Sequence, residues 1–280
     1  MKENWTEVIS PKTNLFDLKF REVWRYRDLI LLFVKRDFVS AYKQTVFGVG
    51  WYLLEPFITT VLFTLVFSGI AKISTNEVPP PLFYMCGIIA WNYFAKVLRN
   101  NSTIFTTNAQ VFGKVYFPRL SVPISNTISG LIAFGIQLVF FLCFYVYYWA
   151  VGASIEPNLY LVFVPFLLLI MGALGLGLGI IVSALTVRYR DLAIFINFGV
   201  QLLMYVTPVI YPTSEVPAKY QTLVQLNPIA SVIEGFRYAF LGKGNFDIFW
   251  LSYAFVSAVV LLLLGMVLFN KVERNFMDTV

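Results

Sequence analysis

The sequence predicts an all-α membrane protein that crosses the bilayer several times. Of its 280 residues, 59% are hydrophobic and 13% are charged, whereas a soluble domain has about 25% charged residues. The mean hydropathy is +0.74. Uncharged runs of about 20 residues, the length that a helix needs to cross the hydrocarbon core, recur along the chain. Because backbone groups in lipid must be hydrogen-bonded internally, each run is expected to be helical.

Residues 1–48 are predicted to form a cytoplasmic interface segment ahead of a transmembrane domain, residues 49–280. A helical projection gives an apolar face of Phe20, Trp24, Leu31, Val34 and Phe38. The opposite face carries Arg21, Arg25, Asp28 and Lys35. This pattern predicts an amphipathic helix in the membrane interface, with its cations toward anionic lipid. The helix can act as an anchor alone, or it can also frame the mouth of a pore and contact a partner.

The uncharged runs predict six spans. Their approximate bounds are 49–71, 82–99, 126–150, 159–186, 193–211 and 248–270. The second run ends at Lys96, so Lys96 and Arg99 are expected to extend toward the lipid headgroups. The fourth span carries a small-residue face that favours close helix packing. That face consists of Gly172, Gly175, Gly177 and Gly179.

Positive charges are distributed unevenly between the two sides of these spans. Seventeen of the 21 Lys and Arg residues lie in the N-terminal segment, at or after the ends of spans 2 and 4, and in the C-terminal tail. By the positive-inside rule, both termini are cytoplasmic. The net charge of +6 is explained by the anionic inner leaflet, and no nucleic-acid partner is needed.

Two cytoplasmic connections are predicted. The loop 100–123 has room for a short helix that ends near Gly113, and its apolar residues favour a docking element for another protein over a plain connector. Spans 4 and 5 are joined by a tight turn. Its charged residues, which are expected first of all as topology anchors, are Arg188, Arg190 and Asp191.

The segment 212–245, between spans 5 and 6, is predicted to be an external re-entrant or interfacial hairpin. Asn227 and Pro228 supply an N-cap and a proline at the first helical position, and Gly242 ends the helix. This helix is mostly apolar but carries Glu234 and Arg237 three residues apart. Irregular backbone at membrane depth is tolerated only beside protein or a water-filled cavity.

The composition excludes several functions. The chain has no histidine, which excludes Ser-His-Asp triads and HExxH zinc sites. It has no P-loop motif, so it is not expected to bind ATP itself. Its acids are scattered without a paired motif, and spans 3 to 6 have no ionisable group of the kind that ion-coupled transporters use near the midplane. A conduit that is passive or powered by a partner remains, with no enzyme activity and no metal site.

Aromatic residues make up 18% of the chain. Several share helical faces within the predicted spans 1 and 5, where stacked rings facing a channel would suit sugar faces. Ordinary helix packing produces the same pattern, so both interpretations stay open. These channel-lining candidates are Tyr52, Phe63, Phe195, Phe198 and Tyr205.

Seven short motifs follow one another from Arg36 to the C-terminal tail. They are Arg36-Asp37-Phe38 with Tyr42-Lys43-Gln44-Thr45, Lys114-Val115-Tyr116-Phe117-Pro118-Arg119, Arg188-Tyr189-Arg190-Asp191-Leu192, Thr207-Pro208-Val209-Ile210-Tyr211-Pro212, Asn227-Pro228, the Glu234 and Arg237 pair, and Val272-Glu273-Arg274. In this order they resemble the permease subunits of type-2 ABC exporters for cell-surface polysaccharide.

The resemblance implies a homodimer around a translocation channel in the bacterial inner membrane, with two copies of a separate ATPase that binds ATP and Mg²⁺. It implies an external gate at Asn227, Pro228, Glu234 and Arg237. The substrate expected first is undecaprenyl-linked O-antigen; capsular polysaccharide or teichoic acid, or a drug or small lipid, are the alternatives. The implied ATPase-coupling residues are Arg36, Asp37, Thr106, Asn108, Lys114, Tyr116 and Arg119.

Overall fold

The structure, a computed structural model, describes residues 20–43, 45–112, 117–189, 191–244 and 246–276. All regular secondary structure in this part of the chain is helical. Its α-helices are α1 (Phe20–Arg25), α2 (Arg27–Tyr42), α3 (Trp51–Phe63), α4 (Pro80–Ser102), α5 (Ile104–Thr107), α6 (Ala109–Phe112), α7 (Ser121–Ala150), α8 (Val164–Thr186), α9 (Leu192–Val206), α10 (Ala218–Gln225), α11 (Pro228–Leu241) and α12 (Ile248–Phe276). A π-helical segment, Thr64–Ile70, continues α3, and the short 3₁₀ helix Leu159–Phe163 leads into α8.

Four helical segments of the described chain are long and apolar enough to cross a membrane. They are Gly48–Ile70, Ser121–Ala150, Leu159–Thr186 and Ile248–Val272. They coincide with the predicted spans 1, 3, 4 and 6. At the predicted span 2, α4 has 23 residues but a more polar sequence, and at span 5, α9 is apolar but has only 15 residues.

Helix α4 lies at the centre of the bundle. It contacts α3, α7, α8, α9 and α11, and most of its side chains are buried, including Leu82, Ile89 and Phe94. A helix that is covered by protein does not need the uniformly apolar surface of a lipid-facing helix. Its central position therefore explains why its hydropathy is lower than that of its neighbours.

The glycines of α8 allow close helix contact, as the sequence predicted, but on two sides. A Cβ on Gly179 would lie 2.6 Å from the Cβ of Asn101 in α4, so this side of α8 faces α4. A Cβ on Gly177 would lie 2.8 Å from the backbone of Leu261 in α12. Since neither backbone can move aside easily, α8 is held between α4 and α12 at distances that only small residues permit.

The apolar residues of the N-terminal helix are divided between a buried face and an exposed face. The helix is interrupted at Tyr26 (φ −94°, ψ 22°), and this break shifts the helical register. Of the predicted apolar face, Trp24 and Leu31 are 72% and 60% exposed, whereas Val34 is buried together with Val23 and Phe33. The buried side chains join a second hydrophobic cluster with α5, α6 and the start of α7, so this face packs on protein and not on lipid.

Candidate functional site

Two short helices occupy the segment for which the sequence predicted a hairpin. The side chain of Asn227 accepts a hydrogen bond from the Ile229 amide, Pro228 occupies the first position of α11, and Gly242 ends α11 with φ 67°. These caps confirm the predicted start and end of the helix. The Asn227 amide also donates to Thr207 Oγ1 over 2.9 Å, which ties the start of α11 to the end of α9.

Arg237 lies inside the bundle, with 1% of its surface exposed. Its guanidinium donates to the carbonyl of Pro208 over 2.6 Å and to that of Val209 over 2.5 Å. It also lies 3.3 Å from the carboxylate of Glu234, itself 3% exposed, and 3.9 Å from the ring centroid of Phe83 in α4. The guanidinium therefore joins α11, the chain beyond α9 and α4.

This arrangement explains why α9 ends at Val206, although the uncharged run predicted a span to residue 211. Pro208 cannot donate the backbone hydrogen bond that would continue α9, so the helix ends before it. Arg237 supplies donors to the carbonyls at the break, and Gly87 leaves the space for it, since a Cβ there would lie 2.7 Å from the guanidinium. A buried charge with these partners can stabilise an irregular backbone away from water.

A cavity of about 570 Å³ adjoins the hairpin. Aromatic side chains on its wall include Tyr160, Phe246 and Trp250, and carboxylates on its wall come from Glu234 and Asp247. We call this side of the bundle the hairpin end. The opposite side, which carries α1, α2, α5 and α6, is called the α2 end.

The predicted coupling loop lies at the α2 end and consists of the short helices α5 and α6 where it is described. Thr106 is exposed and Asn108 is partly exposed. Lys114 and Tyr116 lie outside the described residues. Thr106 and Asn108 are thus the two coupling candidates of this loop that the structure places at the surface.

Phe112 and Phe117, two apolar residues for which the sequence suggested a docking role, are buried inside the chain. Phe112 and Phe117 are 1% and 6% exposed, and their ring centroids lie 5.9 Å apart. Arg119 is 6% exposed and lies 5.5 Å from the Phe112 ring. These side chains fill the second hydrophobic cluster beneath α2, so their apolar character is explained by packing within the chain.

The remaining charged candidates also lie at the α2 end. Arg36 and Asp37 are sequence neighbours and form an ion pair over 2.8 Å. In the turn between α8 and α9, Arg188 lies over the ring of Tyr189, and Asp191 immediately precedes α9. Arg190 lies outside the described residues.

The five aromatic channel candidates separate into two groups. On α9, Phe195, Phe198 and Tyr205 are 64%, 58% and 50% exposed. Phe63 instead packs against Phe67 and Tyr84. Tyr52 is partly buried beneath Lys96. Only the α9 group presents open aromatic rings.

Polar residues of α4 and α7, most of which were not predicted as site residues, meet near Tyr52. On α4 they are Asn92, Lys96 and Asn100, spaced four residues apart; on α7, Asn126, Ser129 and Gln137 line the same region. Polar positions repeating at helical spacing inside predicted spans were the signal that could have found them. The ammonium of Lys96, which was expected to extend toward the headgroups, lies 3.2 Å from the Tyr52 hydroxyl.

These features define a multi-pass helical membrane protein whose chain lacks a P-loop. A family model described as "ABC-2 type transporter" matches residues 28–241, more than half of the chain. The protein therefore belongs to the ABC-2 type transporter family, which makes it the permease component of a transporter.

Curated relatives span nearly the whole chain. The chain is 27% identical over 253 residues to "O-antigen export system permease protein RfbA" of Klebsiella pneumoniae, covering 90% of this chain and 94% of the relative. It is 24% identical to a protein with the same printed name from Myxococcus xanthus, covering 93% and 98%. It is 21% identical to "Polysialic acid transport protein KpsM" of Escherichia coli, covering 87% and 93%.

Proposed function

We propose that the chain is the membrane-spanning subunit of an ATP-driven exporter that moves a lipid-linked polysaccharide out of the cytoplasm. The observation that carries this proposal is the end-to-end match to relatives named as O-antigen and polysialic acid transport proteins. O-antigen is the proposed substrate, because three of the relatives carry that name. A capsular polymer is the second candidate, favoured by the polysialic acid relatives.

We propose six spans, with α4 and α9 completing the four apolar segments. The 23 residues of α4 give a length of about 34 Å, enough to cross the hydrocarbon core. The 15 residues of α9 give only about 22 Å, and the buried backbone beyond it continues toward the hairpin end. Helix α11, nearly all buried and with 14 residues, is too short to cross and fits a re-entrant arm.

The orientation that we propose places the α2 end in the cytoplasm and the hairpin end outside. The distribution of Lys and Arg supports it. In a bacterium the exporter would lie in the cytoplasmic (inner) membrane, with both termini inside. Two copies of a separate ATPase, which binds ATP and Mg²⁺, would then dock at the α2 end. Thr106, Asn108 and Lys114 of the loop are the proposed coupling residues.

A second copy of the chain is proposed to complete the channel. Helix α9 presents Phe195, Phe198 and Tyr205 on an open face. In the first apolar segment, Gly48–Ile70, only 11% of the 18 most apolar residues are buried. Two such faces opposed across a dimer axis would enclose an aromatic-lined path. Aromatic rings stack on sugar faces without binding tightly, which suits a polymer that must keep moving.

An export assay tests the proposal. Deleting the gene should leave the polymer inside the cell, and the intact chain should restore it to the surface, measured by gel and lectin or antibody blot. The variants Phe198→Ala and Tyr205→Ala should reduce surface polymer at unchanged protein level. Phe249→Ala is the matched control, since Phe249 is 67% exposed on α12, away from α9.

Unchanged export in both α9 variants would show that these rings do not line the path.

Purification from native membranes in mild detergent tests the energy source separately. An ATPase subunit is expected in equal amount to the permease, and a permease that purifies alone from every mild detergent would contradict ATP-driven export. A chain that restores the efflux of a small lipid or drug, and not of polymer, would favour the other substrate class.

A further inference from the structure

Two adjoining cavities open between α2, α3, α4 and α7 at the α2 end. Their volumes are about 310 Å³ and 240 Å³. Tyr52, Lys96 and Asn100 line both, so the two spaces meet at these side chains. We call the joined space the polar cleft.

Lys96 is the cation at the junction of the two cavities. Its ammonium lies 4.4 Å from the centroid of the Tyr52 ring and 3.2 Å from the Tyr52 hydroxyl. It forms no ion pair with a carboxylate of the described residues, although it is partly buried. A lysine inside a membrane-spanning helix is costly and usually marks a ligand or ion site.

Two buried polar atoms on the cleft wall have no hydrogen-bond partner among the residues that the structure describes. They are Ser129 Oγ and Gln137 Oε1, on residues that are 8% and 5% exposed. Both residues belong to α7, and Ser129 lines the larger cavity and Gln137 the smaller. Buried polar groups nearly always have a partner in folded proteins, so a polar ligand in the cleft would complete the hydrogen bonding of these two atoms.

The other charges of the cleft leave room for an anion. Arg36 at the rim is paired with Asp37 over 2.8 Å, so the two cancel. Arg99 and Glu55 line the smaller cavity with Lys96, and the carboxylates of Glu55 and Asp37 attract the Lys96 ammonium without forming an ion pair with it. The excess is therefore one positive charge, carried by ammonium and guanidinium groups, which bind phosphate oxygens well.

The cleft also has acceptors and donors for the rest of a headgroup. Gln137 Oε1 is an open acceptor for a hydroxyl group, and the hydroxyl of Ser129 can both donate and accept. Beside the cleft, α3 has an exposed apolar surface in Trp51, Phe57 and Ile58, which are 51%, 40% and 50% exposed. A hydrocarbon chain can lie along this surface while the headgroup stays in the cleft.

We propose that the polar cleft binds the phosphate ester of a lipid headgroup, with Lys96, Arg99 and Ser129 at the phosphate. Gln137, which lies about 12 Å further along α7 than Ser129, would contact a hydroxyl group elsewhere in the headgroup. A polyprenyl phosphate carrier and an anionic phospholipid both supply this chemistry. The choice of the polyprenyl phosphate carrier over the phospholipid rests on the proposed function. Binding of a phosphate ester by itself rests on the cleft alone.

Native mass spectrometry and thermal unfolding of the full chain in mild detergent test the proposal, with the ATPase subunit retained if it co-purifies. The probes are undecaprenyl phosphate, phosphatidylglycerol, uncharged diacylglycerol and inorganic phosphate. The two lipids with an anionic phosphate should bind and raise the unfolding temperature. Lys96→Gln and Arg99→Gln should each weaken this binding about tenfold, the loss of one charge-assisted contact. Lys35→Gln, on the exposed surface of α2, is the matched control and should change affinity less than twofold.

Gln137→Met separates a ligand site from a packing defect. Without lipid, replacing an unpartnered buried amide by an apolar side chain of similar length should leave the unfolding temperature unchanged or higher. With lipid, the temperature gain should shrink relative to the unaltered chain. A Gln137→Met chain with an undiminished gain would contradict a headgroup in this part of the cleft.

The probes decide between the sources of the phosphate. Preference for undecaprenyl phosphate identifies the carrier, and equal binding of phosphatidylglycerol identifies a structural phospholipid. Binding of inorganic phosphate without binding of either lipid identifies a soluble anion, which overturns the lipid proposal. Equal binding of diacylglycerol, or no effect of Lys96→Gln and Arg99→Gln, also overturns it. Because these measurements need neither polymer nor ATP, they can fail while polysaccharide export stands, and export can fail while lipid binding stands.

Discussion

Replacing Arg237 by Gln should destabilise the protein more than any exposed charge change at the hairpin end. The substitution removes donors to the Pro208 and Val209 carbonyls and leaves the buried carboxylate of Glu234 without its cation. Breaking a buried ion pair from one side costs about 3–5 kcal/mol. At about 2–4 °C per kcal/mol for a chain of this size, the unfolding temperature should fall by roughly 6–20 °C.

The assay is thermal unfolding in one detergent at one scan rate, followed by tryptophan fluorescence. Fixed conditions matter, because membrane proteins often unfold irreversibly and the apparent midpoint then depends on the scan rate. The matched control is Lys243→Gln, which removes an ion pair with Glu77 over 3.2 Å whose side chains are 37% and 80% exposed. Exposed pairs contribute about 0–1 kcal/mol, so this control should shift the midpoint by a few degrees at most.

A double-substitution cycle tests the reasoning further. Glu234→Gln in the Arg237→Gln background removes the uncompensated carboxylate, so the double variant should lose less stability than the sum of the two single variants. Coupling of about 0.5–3 kcal/mol is typical for residues in direct contact. An Arg237→Gln midpoint no lower than that of Lys243→Gln, or strict additivity in the cycle, would refute the view that this buried pair holds the hairpin in place.

Three further predictions concern packing, coupling and capping. Gly177→Ala should lower the unfolding midpoint, because its Cβ meets the backbone of α12 and overpacking costs about 1–3 kcal/mol; Gly199→Ala, with nothing within 4 Å, should leave it unchanged or raise it. Lys114→Glu should leave folding intact and uncouple ATP hydrolysis from export, measured as polymer exported per phosphate released. Arg119→Glu should instead reduce the amount of folded protein, seen by size-exclusion chromatography, because Arg119 is buried. Asn227→Ala should lower the midpoint by the equivalent of about 0.5–2 kcal/mol, since it removes an N-cap.

Features that depend on local chemistry were predictable from the sequence. The start and end of α11 follow from Asn227, Pro228 and Gly242, because a cap is decided by a few adjacent residues. The apolar segments from Gly48, Leu159 and Ile248 begin within one residue of their predicted positions for the same reason, since a run of apolar residues is visible in the chain itself.

Features that depend on distant neighbours were not predictable. The break at Tyr26 rotates the buried face of α2, and no residue type at that position signals it. Lys96 meets a tyrosine 44 positions earlier, and Arg237 meets carbonyls 28 and 29 positions earlier. The sequence predicted on which side of the membrane Lys96 and Arg237 lie. What each side chain contacts depends on how α4 packs against the other helices.

Helix α4 links the two polar regions of the molecule. Near its first turn, Phe83 and Gly87 contact the guanidinium of Arg237, and toward its other end Lys96 reaches Tyr52 in the polar cleft. A continuous helix does not shorten under load, so a shift of its end at the cleft is carried to the hairpin over about 20 Å without a separate relay. Because Arg237 also ties the end of α9 to α11, these three helices should move as one body. Opening of a path in the proposed exporter would then occur between two copies of the chain, where α9 is uncovered, and not within one copy.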